Sequence, residues 1–432
     1  YASYPENLPY SNEYFFQNSD DINDTWEAAV YHDGAAFWER STPLLRYRKM
    51  FCWGNGQGGR HWQEFLTKKG TSSYLEIQAG LSPTQVHGRD IGPKERWSFT
   101  QAFGGTLADA KKIRGGWTES GDYIHALIDK ALSPEKLRRL DEKFDALVNV
   151  KPDKILHGGS GWGALEALRD SSIVPRGMIF GRNTLTDLQK PWLELLEDGR
   201  MRDLAADEIP VSWMVDARWM KLLEESLSDK NGRNSASLLH YGIMLYESGR
   251  WPEGLSSLRK SFALNQTAIC ALTIAQILLG DGNKAEACAF VDKAAALGAV
   301  RQSKSFSEQM IKIVNTASEY EKVWELYESL PGDQKDDMSI MAAVADAAFN
   351  LGKWDFIDIL LGRDYAQLRE GDNTLSELWY RKKAVDEART RGVSNYEDIL
   401  DEIKNEFIPP YHLNFQMGLD KLKKNFDSAF GA

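Results

Sequence analysis

The stretch Leu238-Leu239-His240-Tyr241-Gly242-Ile243-Met244-Leu245-Tyr246-Glu247-Ser248-Gly249-Arg250-Trp251-Pro252-Glu253-Gly254-Leu255-Ser256-Ser257-Leu258-Arg259-Lys260-Ser261-Phe262 decides the fold of the second half of this chain. Leu238, Tyr241 and Leu245 recur three and four residues apart, the spacing of one face of an α-helix. Gly249-Arg250-Trp251 interrupts that period, and Leu255, Leu258 and Phe262 resume it. The unit recurs. Gly282-Asn283-Lys284, Ser318-Glu319-Tyr320 and Gly352-Lys353-Trp354 align with the first turn at spacings of 33, 36 and 34 residues. Helix-period runs precede each turn (Ala271, Ile274, Ile277; Met310, Ile313, Val314; Met341, Val344, Ala348). Others follow it (Ala287, Phe290, Val291, Ala294; Val323, Leu326, Tyr327; Phe356, Leu360).

Helix, tight turn and helix at about 34 residues is the tetratricopeptide (TPR) pattern, in which each helix pair buries its apolar face only against its neighbours. Residues 233–432 are therefore expected to form a TPR-type α-solenoid. Further helices are expected at 375–390, 396–406 and 415–428, one of them capping the stack. Upstream, 106–232 reads as a helical connector. Segments 106–112, 118–132 and 134–148 look helical, and Ser133-Pro134-Glu135-Lys136 is an N-cap with proline at the first helical position. A glycine-rich run, Gly158-Gly159-Ser160-Gly161-Trp162-Gly163, stands just before a helix predicted at 163–170.

Before residue 105 the chain reads as strands. His32-Asp33-Gly34 between the apolar runs 26–31 and 35–40 signals a β-hairpin. Strands are predicted at 48–53, 74–80 and 95–101, while residues 1–24 are polar and show no period. Many apolar positions face both ways, so strands from outside this sequence are expected to complete the sheet. Residues 1–105 are thus read as an incomplete β-sheet portion.

Composition narrows the function. A net charge of -11 over 432 residues argues against a nucleic-acid partner and against an anionic membrane surface. No apolar run approaches the roughly 20 residues that span a bilayer, and no signal peptide is expected. Cys52, Cys270 and Cys288 lie far apart or inside apolar runs and read as free thiols, which implies a reducing, cytoplasmic setting. Ten of the 14 tryptophans precede residue 220, where large rings either fill a core or stack on a sugar.

Two stretches carry candidate chemistry. In Arg48-Lys49-Met50-Phe51-Cys52-Trp53-Gly54-Asn55-Gly56-Gln57-Gly58-Gly59-Arg60-His61-Trp62-Gln63, a strand leads into a loop with four glycines in six positions. In Tyr74-Leu75-Glu76-Ile77-Gln78-Ala79-Gly80-Leu81-Ser82-Pro83-Thr84-Gln85, alternation sets Glu76 and Gln78 on one face. A carboxylate and an amide beside tryptophan-rich loops suggest a carbohydrate site. Glu76 is the candidate acid or base, since its apolar neighbours would favour a proton. Arg60, Gln63, Gln78 and Gln85 would hold hydroxyls, and Trp53, Trp62 and Trp97 would stack on a ring. Cleavage of a glycosidic bond takes two carboxylates, with Glu39, Glu64 and Glu95 available as the second. The competing reading has Glu76 satisfied by Arg48 or Arg60.

Other chemistries fit poorly. Neither Gly54–Gly59 nor Gly158–Gly163 has the strand and helix context of a dinucleotide loop, and the Walker lysine is missing. Ser160 lacks the Gly-x-Ser-x-Gly spacing of a nucleophile elbow. The seven histidines are scattered without an i, i+4 pair, so no metal site is expected from this chain alone, and no cofactor is implied.

The 48–54, 59–63, 74–80 and 84–85 stretches with Trp97, followed by Gly159-Ser160-Gly161-Trp162-Gly163-Ala164-Leu165-Glu166 and Pro191-Trp192-Leu193-Glu194-Leu195-Leu196, resemble a domain-of-unknown-function family. That family carries a galactose-mutarotase-like β-sandwich followed by TPR repeats. The resemblance implies that residues 1–105 are the C-terminal part of a sugar-binding β-supersandwich, an incomplete β-sandwich portion followed by a helical connector and a TPR-type α-solenoid. Two functions follow as expectations. One is a carbohydrate-active protein acting on a glycosidic bond of an oligosaccharide or glycoside, glycoside hydrolase-like. The other is a non-catalytic glycan-binding scaffold whose solenoid recruits a protein partner on its concave face. Both expect a carbohydrate ligand, and either a second polypeptide supplying the N-terminal part of the sandwich or self-association.

Overall fold

The computed structural model describes residues 3–16, 18, 22–68, 73–147, 150–175, 177–205, 207–364 and 371–417. The chain divides into two units: Tyr1–Val150 with Asp364–Tyr380 and Glu387–Ala432, and Lys151–Arg363 with Arg381–Asp386.

The first unit holds six described strands, β1 (Asn12–Phe16), β2 (Thr25–Val30), β3 (Ala35–Ser41), β4 (Tyr47–Cys52), β5 (Leu75–Gly80) and β6 (Gln101–Leu107). They form two antiparallel three-stranded sheets, ordered β1-β4-β5 and β2-β3-β6. Gly34 closes the β2–β3 hairpin at φ +90, and a Cβ there would lie 2.2 Å from the Ala108 carbonyl oxygen. Trp38 from β3 packs with Ile124 and Ile128 of the helix Trp117–Ala131, and with Leu132 and Leu137. The other face of the same sheet turns Thr25, Glu27, Glu39 and Ser41 toward Arg48 of β4.

Four local expectations need correction. The segment 95–100 forms no strand: Trp97 Nε1 donates to Glu95 Oε1 at 2.5 Å and the Gly92 amide to Glu95 Oε2 at 2.7 Å, closing a local loop, while the Thr100 hydroxyl donates to Asp141 at 2.6 Å. The strand is β6, one step later, where a helix was predicted from 106. Gly104-Gly105 hides it, and Gly104 is required because a Cβ there would meet the Trp38 ring at 2.1 Å. The glycine-rich stretch is not a loop up to Gln63 but opens the helix Gln57–Leu66. β1 lies in the segment read as having no period.

The second unit begins with the helices Gly161–Arg169, Lys190–Asp198 and Ala217–Ser228. Ser160 is the N-cap of the first, accepting from the Gly163 amide. Four helix pairs follow: Ser235–Glu247 with Trp251–Leu264, Ala268–Gly280 with Lys284–Ala296, Lys304–Thr316 with Tyr320–Ser329, and Met338–Asn350 with Trp354–Leu361. Leu258, Ala271, Ile274, Val291, Met310, Val323 and Val344 share one core. The TPR-type solenoid is therefore present.

Its turns are alike. Gly249, Gly282, Ser318 and Gly352 all have positive φ, +83, +79, +68 and +64. In each, the next residue's amide reaches the carbonyl five residues back, as Arg250 to Leu245 and Glu319 to Val314. This is the Schellman closure, which needs a left-handed residue. Ser318 occupies it with a side chain, at a cost of about 1 kcal/mol. Ser318→Gly should therefore raise stability by about 0.5–1 kcal/mol; an unchanged or lower denaturant midpoint would contradict this.

The helices Thr374–Arg391 and Glu397–Glu406 match two of the predicted C-terminal helices. Of the third, 415–417 is irregular and the rest lies outside the described residues.

Candidate functional site

Strand pairing brings three of the expected site residues together. On one face of the β1-β4-β5 sheet, Lys49 stands opposite Gln78, and Phe51 stands between Glu13 and Glu76. Lys49 Nζ donates to Gln85 Oε1 at 2.5 Å, Gln85 Nε2 donates to Gln78 Oε1 at 3.1 Å, and Gln78 Nε2 donates to Glu76 Oε1. Every donor points toward the carboxylate, so the chain is polarised in one direction. The sequence missed Lys49, a cation at 7% exposure beside the turn after β5. Neither expected arginine holds Glu76. Arg48 is taken by Glu39 at 2.8 Å and Ser41 at 2.7 Å, and Arg60 Nε donates to the Asn55 carbonyl at 3.0 Å.

The helix Gln57–Leu66 carries Arg60, Trp62 and Gln63, but its surroundings are structural. Gln63 is buried; its Nε2 donates to the Gly54 carbonyl at 2.6 Å, and its Oε1 accepts from the Tyr74 amide at 2.7 Å. It fastens the end of β4 to the entry of β5. Trp53 is buried against Tyr74, and Trp62 stacks on Phe65. The two helical glycines allow close approach: a Cβ at Gly58 would sit 2.3 Å from the Gln416 carbonyl oxygen, and at Gly59 2.0 Å from that of Trp53. His61 lies against Tyr411 and Phe415, with ring centroids at 3.9 and 4.4 Å. The glycine-rich stretch therefore receives the chain's own C-terminal segment. Trp97 is placed apart from this group, bonded to Glu95 and covered by Arg89 at 4.7 Å.

Of the second carboxylates proposed from sequence, Glu39 is buried with Arg48 and Gln101, Glu95 is exposed and held low by its bonds from Trp97 and Gly92, and Glu64 is exposed. Glu27 joins the buried group 3.8 Å from Arg48. Burial outweighs that arginine and, with Glu39 nearby, pushes the Glu27 carboxyl up to about 7. Burial also raises Glu39.

Asp24, His125 and Asp129 bring ligand-type atoms within 4.8 Å of one another. The Arg40 guanidinium reaches both carboxylates, at 2.9 and 2.7 Å, and supplies the positive charge that a metal ion would bring.

In the second unit, a cavity of about 240 Å³ lies between the helix Lys190–Asp198, residues 201–204 and 208–211, and the first repeat helix. His240 lines it, packed between Trp192 and Trp213. Burial pushes His240 down to about 4, so its ring is neutral at physiological pH. No described helix is long and apolar enough to cross a membrane.

Neither a protein-family model nor a curated protein matches this sequence. Similarity is found among solved structures. A TPR-domain containing protein from Parabacteroides distasonis is 13% identical, with a TM-score of 0.54 over 95% of this chain and 60% of that one. This chain thus spans about 60% of that protein's length. MamA (AMB-1) is 15% identical over 32% of this chain and 75% of its own, with a TM-score of 0.28. PilF of Pseudomonas aeruginosa is 17% identical over 43% and 73%, with a TM-score of 0.27. The first of these likenesses shows the fold: small N-terminal sheets joined to a TPR-like helical solenoid.

Proposed function

We propose that this protein is a non-catalytic scaffold of the TPR type that recruits a protein partner. The observation that carries this reading is the run of four helix pairs, each closed by a left-handed turn of the same hydrogen-bond pattern. Such stacks expose a continuous face of first helices suited to a partner. Gln276 and Lys312 are exposed on two of those helices. Gln276→Glu with Lys312→Glu should remove a specific set of proximity-labelled partners. Lys260→Glu, on the exposed side of a second helix, should leave that set intact. If both variants keep or lose the same proteins, the first-helix face is not the recruiting surface.

A glycan contact on the β part is the second reading, favoured by the polar chain ending at Glu76. The backbones of Glu13 and Glu76 lie two strand spacings apart across Phe51, roughly 10 Å. The Glu76 carboxylate is committed to the bond from Gln78, which supports binding over cleavage. Saturable glycan binding without turnover is expected; turnover abolished by Glu76→Gln would restore the enzyme. The supersandwich reading draws support from the β2-β3-β6 face. Phe37 and Phe103 stack at 6.1 Å there and stay 41% and 62% exposed, as a surface awaiting a second polypeptide layer would.

A further inference from the structure

The segment between the helices Lys190–Asp198 and Ala217–Ser228 is not an idle connection. Asp203 Oδ1 accepts from the Ser235 hydroxyl at 2.5 Å and from the Ala236 amide at 3.0 Å, capping the first helix of the first repeat. A carboxylate at that position also meets the positive end of the helix dipole. Asn234 Nδ2 donates to the Met201 carbonyl at 2.7 Å. Asn265, in the turn leading to the first helix of the second repeat, donates to the Leu204 carbonyl at 2.8 Å. The side chains of Leu204 and Ile209 pack against the solenoid core. Two backbone carbonyls, one carboxylate and two apolar side chains are thus received by the N-terminal end of the first repeat's first helix, by the turn into the second repeat and by the solenoid core. That is how an extended peptide is held: main-chain bonds for affinity, pockets for specificity.

We propose that residues 202–205 and 207–209, anchored at the buried Met201, are a resident pseudo-ligand of the first two repeats, and that the partner of this surface is an extended peptide with an acidic residue followed by leucine, which binds by displacing them. The inference rests on the scaffold reading and goes beyond it by naming the surface, its present occupant and the chemistry of the competitor. The segment also competes from within the same chain. A short tether gives an effective concentration on the order of millimolar, so a peptide of equal intrinsic affinity binds far more weakly while the segment is seated.

The probe is a fluorescent peptide with the sequence of residues 200–211, titrated against the full chain by anisotropy. Against Asp203→Ala with Leu204→Ser, binding should be saturable and at least tenfold tighter than against the unaltered protein. Adding Asn265→Ala to that variant should weaken it again. Equal affinity for the unaltered and segment-weakened proteins, or insensitivity to Asn265→Ala, overturns the proposal. The unaltered protein supplies a test that needs no variant. By hydrogen exchange, the amides of Leu204, Ala205 and Glu208 should open at least 100-fold more readily than those of Ala268–Gly280. Exchange at the same rate would make the segment an integral part of the core and overturn the displacement. Failure of the partner test above with success here would refute that recruiting face while leaving this surface in place.

Discussion

Gly104→Val is expected to lower the stability of the first unit by about 3 kcal/mol. Gly104 stands directly opposite Trp38 in the β3–β6 ladder. A Cβ at 104 would lie 2.1 Å from Trp38 Cζ2 and 2.5 Å from Cε2. The indole has no room to retreat, being 5% exposed and backed by Ile124, Ile128 and Leu132. Either the helix Trp117–Ala131 is pushed off or the ladder breaks. Gly105→Val is the control. It differs by one position, faces the exposed side, and its Cβ would meet nothing closer than the Ala36 carbonyl oxygen at 3.7 Å. That change should stay within about 0.5 kcal/mol. Denaturant titration of both variants decides the matter. Equal losses would mean that strand 101–107 rejects any side chain, and that Trp38 is not the cause.

The second large effect is the pH dependence of the buried carboxylates. Two acids, Glu27 and Glu39, share one guanidinium, Arg48. Glu27 holds its proton up to about 7 in the folded chain, against 4.5 for the unperturbed group. Between those values the native state binds more protons than the unfolded state, so stability falls as pH rises. The contribution is fully present below pH 4.5 and is lost through pH 7. At about 1.4 kcal/mol per unit the loss approaches 3 kcal/mol at pH 8, somewhat less once partial solvent contact is allowed for. Glu27→Gln keeps the shape and removes the titration. It should be more stable than the unaltered protein by about 2–3 kcal/mol at pH 8 and nearly equal to it at pH 4.5. Chemical denaturation at both values checks this. A variant that is less stable at pH 8 would show that ionised Glu27 is a net asset beside Arg48.

The buried acids were not legible from the sequence. Glu27 and Glu39 alternate with apolar residues as surface carboxylates do on half-exposed strands, and only the packing of β4 over β2 and β3 encloses them. Lys49 was missed for the same reason. The sugar-binding roles given to Gln63, Gln78 and Gln85 rested on residue type, and the bonds to Gly54, Glu76 and Lys49 show how much of their polar capacity the fold itself consumes. The segment 201–211 carries no period, so its attachment to the repeats left no mark in the pattern.

What the sequence determined alone is local. The repeats were readable because helix periodicity and left-handed turns are set by residues within five positions of one another, and four such units then follow at spacings of 33–36 residues. The Asp33-Gly34 hairpin was readable for the same reason. What only the tertiary structure decided depends on partners far along the chain. Gly58 and Gly59 look like a ligand loop until Gln416 and Trp53 close on them. His61 looks like a site residue until Tyr411, 350 residues later, covers it. Gly104 hides a strand that Trp38 requires. Glycine and buried charge take their meaning from whatever approaches them, and that is fixed by packing across the chain rather than by neighbours in sequence.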